Sequence, residues 1–223
     1  MSHSHDHHHG HDEEHAEAHN HVHDHDDDIV PALQNLLYAQ IDFSKLRSLN
    51  EDELDSGRKI CQKTWAQRMD PRPELLSMAD EQLLMEIPFT GQVRLHSILI
   101  RTSPTPASPK TLKVFINDES AFDFDTASQK PPTQVLSVAQ TSEVQEIPVK
   151  RALFNTTRTL TLFFEDNWSE GAEDETSISY LGFKGDFMKL NKEPISFLYE
   201  AAANPGDHKM VAGVKEGLGR SVQ

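Results

Sequence analysis

Between residues 81 and 190, apolar side chains come in short runs separated by turn residues. Seven stretches carry the pattern: residues 83–89, 93–101, 111–117, 133–139, 144–149, 159–164 and 177–187. Each is rich in β-branched or aromatic residues and predicts a strand. Thr90-Gly91, the prolines 104, 106 and 109, Asn117-Asp118, Pro131-Pro132, Asn155 and the run 166–175 separate them. In the sixth stretch Leu160, Leu162 and Phe164 share one face and Thr159 and Thr161 the other, with Phe163 breaking the alternation. The second is apolar on both faces toward its end, as a central strand is. Gly91 is expected at a turn that needs positive φ. Gly182 and Gly185, flanking Phe183, predict a bulge or a close backbone approach. Strands without long intervening helices predict an all-β fold, a β-sandwich or jelly roll.

Outside this block the pattern weakens. Leu33, Leu36, Leu37 and Gln40 predict one or two helical turns after Pro31. Trp65 stands in a polar stretch, so residues 29–80 read as an arm that packs its few large groups onto a core built elsewhere. Tyr199 is expected to close a last strand and Asn204-Pro205-Gly206 to turn the chain. Residues 1–28 have almost no apolar groups and predict a disordered tail. The expected organisation is therefore a tail at 1–28, a β-sandwich domain at 29–210 and a loose terminus at 211–223.

Composition separates the tail from the body. The chain has 223 residues and a net charge of −15, and its first 28 residues hold 11 of the 13 histidines with no lysine or arginine. The remaining residues carry 21 basic and 27 acidic side chains. His3, His5, His7, His8, His9 and His11 are candidate ligands for Zn, Ni or Cu. Their irregular spacing offers many interchangeable modes instead of one shaped site, so metal binding is read as incidental and no cofactor is expected. The acidic balance argues against nucleic-acid or anionic-membrane binding. No apolar run is long enough to span a bilayer, and the N-terminus has no secretory pattern. The single cysteine excludes a disulfide framework and points to a reducing compartment.

Four stretches together resemble the PITH domain, the module appended to thioredoxin-like proteins that associate with the proteasome. They are residues 46–51 (LRSLNE), 87–98 (IPFTGQVRLHSI), 180–187 (YLGFKGDF) and 199–209 (YEAAANPGDHK). The resemblance implies a jelly-roll sandwich related to galactose-binding-like domains, a cytosolic and nuclear location, and interaction with proteasome components. The redox activity of thioredoxin-linked members does not carry over, because no Cys-x-x-Cys is present. The motif residues read first as structural.

Candidate chemistry is sparse. Cys61 with His96 or His208 as base has no supporting spacing and reads as a small semi-buried thiol. No phosphate-cradling glycine loop, Gly-x-Ser-x-Gly or His-Glu-x-x-His occurs, so the chain is not expected to be an enzyme. Asn155-Thr156-Thr157 and Asn167-Trp168-Ser169 match the glycosylation acceptor by chance. The acidic loop 165–175 is the candidate partner surface, with Trp168 as anchor and Glu170, Glu173, Asp174 and Glu175 as a rim facing a basic protein. The competing reading tucks that indole against the sandwich edge. A monomeric protein-interaction module near the proteasome is the expectation. Its alternatives are a metal-handling protein acting through the tail and a small-ligand or carbohydrate-binding sandwich.

Overall fold

One strand of 20 residues, β3 (Leu83–Thr102), is shared by the two layers of one continuous eight-stranded antiparallel sheet. The computed structural model describes residues 33–118 and 122–188. In chain order the other elements are β1 (Arg47–Leu49), α1 (Ser56–Cys61), β2 (Leu75–Leu76), β4 (Pro109–Ile116), α2 (Phe124–Gln129), β5 (Gln134–Ser137), β6 (Gln145–Pro148), β7 (Thr157–Asn167) and β8 (Ser177–Met188). The first half of β3 pairs with β1 and β7, and β4 and β5 follow outward from β7. Its second half pairs with β6 and β8, and β2 lies beyond β8. Every pairing is antiparallel. The fold is the expected all-β jelly-roll sandwich, with β3 shared by both layers.

Alternation along β3 supplies the core from both halves. Leu83, Met85 and Ile87 come from the first and Leu95, Ile98 and Ile100 from the second. They meet Leu160, Leu162 and Phe164 of β7 and Ile178, Leu181 and Phe183 of β8. Phe163 breaks the alternation because the opposite face of its sheet is also covered. It packs with Leu84, Phe115, Phe122 and Ala127, and the α2 segment forms the lid of this second cluster. Asp123 caps α2, accepting from the Thr126 amide at 2.8 Å.

Gly91 does not make a turn. It lies inside β3, where the register slips between Pro88 and Val93 and the strand bends from one layer into the other. A Cβ there would sit 2.9 Å from the Phe187 ring. The other glycine expectation holds: the β3–β8 register shifts between Leu95 and Ser97, opposite Gly185 and Lys184. A Cβ on Gly185 would lie 2.2 Å from the Arg94 carbonyl oxygen, which leaves room only for glycine.

The arm packs as its composition suggests, but by different local structure. The expected helical turns shrink to a 3-10 turn at Tyr38–Gln40. Before it the chain runs along the β8 edge, where Leu37 N–H donates to Phe183 O and Gly185 N–H to Asn35 O. Leu37, Ile41, Leu46, Ile60 and Cys61 are buried. Lys63 is buried too and donates to the carbonyls of Asp70 and Ser179, both at 2.7 Å; burial lowers its pKa. The LRSLNE stretch ties loops together. Asn50 donates to Gln82 O at 2.7 Å and accepts from the Ala79 amide, while Glu51 accepts from the Asp55 and Gly57 amides at the start of α1. The histidine tail, Tyr199 and Asn204-Pro205-Gly206 lie outside the described residues.

Candidate interaction surface

The loop between β7 and β8 is built on one buried amide. Asn167, 3% exposed, donates from Nδ2 to the carbonyls of Glu173 and Glu175 at 2.9 and 3.0 Å. Its Oδ1 accepts from the Ser169 amide and hydroxyl. All capacity of the side chain is thus spent across the loop's neck. The tip turns through left-handed conformations at Glu170 (φ 54°) and Gly171 (φ 86°). The amide that the glycosylation pattern would modify is therefore buried and doubly engaged.

The loop's carboxylates divide into two groups. Glu165 pairs with Lys113 at 2.6 Å, and Asp166 accepts from the Thr111 amide at 2.7 Å. These two hold the loop base to β4. Glu170, Glu173, Asp174 and Glu175 are exposed; among the described residues, only Glu170 of the four pairs with a cation, Lys110 at 3.4 Å. Trp168 sits between the groups and is half-buried. Its indole N–H donates to Val138 O at 3.1 Å, its amide to Ser108 O, and the Lys110 ammonium stands 5.2 Å from the ring. The indole is thus fixed by internal bonds and still keeps a solvent-accessible part.

A neighbouring loop, residues 77–82, extends the same surface. Thr176 donates from its hydroxyl to Glu81 O at 2.7 Å, and its amide donates to Ser77 Oγ. Asn50 joins that loop to residues 50–55. Two large apolar side chains project from the joined loops, Leu54 at 82% and Met78 at 66% exposure. Sequence reasoning missed them because a lone leucine or methionine in a polar loop carries no periodicity signal.

The remaining candidates fall apart spatially or chemically. Cys61 is 1% exposed, and burial pushes its thiol pKa up, away from nucleophilic behaviour. His96 is half-buried on the outer side of β3, with Nε2 at 3.1 Å from Asp186. His208 is outside the described residues. Among the described residues no three of His, Cys, Asp and Glu gather as metal ligands, and no helix is long and apolar enough to cross a membrane.

Fold and surface define an antiparallel jelly-roll sandwich with an exposed acidic loop between β7 and β8. A family model, the PITH domain, matches residues 27–203. The chain is 36% identical over 178 residues to a PITH domain-containing protein of Schizosaccharomyces pombe, covering 78% of this chain and 84% of that one. It is 35% identical over 176 residues to human PITH domain-containing protein 1, covering 78% and 81%. This chain belongs to the PITH domain family. Among solved structures, it is similar to the family 32 carbohydrate-binding module of NanJ from C. perfringens, in complex with galactose. That match has a TM-score of 0.46 and 7% identity over 65% of this chain and 97% of the other.

Proposed function

We propose that this chain is a non-catalytic protein-interaction module that docks a basic partner surface on its acidic end and works around the proteasome, in the cytosol and nucleus. The observation that carries the docking reading is the division of carboxylates in loop 165–175. Glu165 and Asp166 are consumed by the fold, whereas Glu170, Glu173, Asp174 and Glu175 project from a loop clamped by Asn167. A prearranged group of like charges loses little conformational freedom on binding and steers a cationic surface toward it. Trp168 supplies an immobilised aromatic beside them, which suits a hot spot. The proteasome enters through the family resemblance. The metal and carbohydrate alternatives have no observation favouring them among the described residues.

The test is affinity capture from cell extract with the full chain and with a variant carrying Glu170→Gln, Glu173→Gln, Asp174→Asn and Glu175→Gln. Proteasome subunits should be recovered by the wild type and depleted several-fold with the variant. Equal recovery would show that the acidic end is not the docking face, and no recovery by either would remove the proteasome from the proposal.

A further inference from the structure

The opposite end of the sandwich carries the reverse charge. Where β3 bends and β8 finishes, Arg94, His96, Arg151, Asn155, Thr156 and Asp186 line a cleft of about 490 Å³. One wall is the chain that follows β6. Val149 N–H donates to His96 O and Leu95 N–H to Phe154 O, both at 3.0 Å, so this segment is stitched to β3 at two points. Between them the chain closes two tight turns, Leu153 N–H to Lys150 O and Phe154 N–H to Arg151 O. The Phe154 ring is fully buried and plugs the segment into the core. Arg151 is therefore presented on an anchored turn. Arg94 projects from β3 as the cross-strand neighbour of Asp186.

The charges of the cleft are unequally satisfied. Asp186 is engaged by His96 at 3.1 Å. Among the described residues, neither the Arg94 nor the Arg151 guanidinium makes an ion pair or hydrogen bond. In a chain of net charge −15, two unpaired guanidiniums at the rim of one cleft stand out. Each offers a planar fork of donors matched to a carboxylate, and Asn155, four residues past Arg151, adds a short amide to the lining. The cleft's lining offers two guanidiniums and also holds one carboxylate, Asp186, so its positive field is short. Long polyanions and anionic bilayers, which need an extended positive field, fit poorly.

We propose that this cleft binds an Asp/Glu-rich peptide segment of a partner protein, with Arg94 and Arg151 clamping its carboxylates. It is a second surface, and it does not depend on the acidic end being a docking face. Because the two ends differ in sign, one copy of the protein can hold a basic element at one end and an acidic element at the other.

The test is a titration of a fluorescein-labelled peptide of six alternating Asp and Glu residues with the full chain at low salt, followed by fluorescence anisotropy. Saturable binding is expected, weakened about tenfold or more by Arg94→Ala or Arg151→Ala and abolished in the double variant. The unfolding midpoint of each variant should stay at the wild-type value, since both side chains are exposed. Four results would overturn the proposal. One is no saturable binding; another is binding undiminished by the arginine substitutions. A third is competition by inorganic phosphate as effective as unlabelled peptide, which would leave only a general anion site. The last is tighter peptide binding by a full chain carrying Asp24→Asn, Asp26→Asn, Asp27→Asn and Asp28→Asn, which would make the chain's own acidic segment the occupant.

Discussion

The two ends of the sandwich expose oppositely charged groups but hold the loops that carry them by different physics. At the β7–β8 end, the acidic loop is closed by one buried polar side chain, Asn167, with bonds to Ser169, Glu173 and Glu175. At the other end the Arg151 turn is pinned by one buried apolar side chain, Phe154, and by two backbone bonds to β3. A polar clamp fixes the loop's hydrogen-bond geometry, and its loss leaves the carbonyls of Glu173 and Glu175 at the loop's neck without that donor. An apolar plug fixes position through volume, and its loss leaves a cavity. The net charge conceals this arrangement: among the described residues, four exposed carboxylates gather on the acidic loop, and the Arg94 and Arg151 guanidiniums lie together at the other end.

The largest effect that would sharpen the contrast is expected for Phe154→Ala. It should cost about 3–5 kcal/mol of folding stability, measurable by denaturant unfolding, and should speed hydrogen exchange at the amides of Leu95 and Phe154. A loss below about 1 kcal/mol would mean the plug does not hold that end. Asn167→Ala should cost about 2 kcal/mol, as expected for a buried group leaving its partners unsatisfied, with faster exchange confined to the acidic loop. If exchange instead rose along β8 as a whole, the clamp would not be local.

Smaller effects address individual contacts. Trp168→Phe keeps an aromatic ring but removes the donor to Val138 O, so a loss of about 1 kcal/mol is expected. A neutral result would mean that this bond contributes nothing beyond what water supplies. Glu146 tests the sheet between the two ends. Its carboxyl accepts from Lys184 at 2.6 Å and Ser97 at 2.8 Å, and these bonds hold its pKa below the ordinary 4.5, the lysine contributing most. A folded-state pKa below the unfolded one gives stabilisation that is complete above pH 4.5 and lost as the pH falls through the lower value. The wild type should therefore lose its advantage over Glu146→Gln on acidification from about pH 6 to about pH 3. A constant difference across that range would contradict the assignment.

What was legible in the chain follows from how many residues each element repeats its pattern. The strands of eight residues or more, β3, β4, β7 and β8, stand out as β-branched or aromatic runs bounded by turn residues, although β3 reads as two strands. β1 and β2, with three and two residues, are too short to repeat an alternation, and α1 and α2, with six each, span less than two helical turns. Thr90-Gly91 resembled a hairpin turn because a bend within one strand and a turn between two strands use the same small residues. The lapse at Phe163 was itself a signal, marking a strand buried on both faces. Of the surface features, the acidic loop was legible because its residues are consecutive. The Arg94–Arg151 cleft was not, since its walls come from segments far apart in sequence that meet only when Phe154 enters the core.

The central claim, that the acidic end is the docking face of this PITH domain, is tested most directly by association kinetics. The full chain and its Glu170→Gln/Glu173→Gln/Asp174→Asn/Glu175→Gln variant would be measured against purified proteasome particles at rising salt. Removing four steering charges should slow association about tenfold at low salt and flatten its salt dependence, while dissociation changes less. Association rates that coincide at every salt concentration would contradict it.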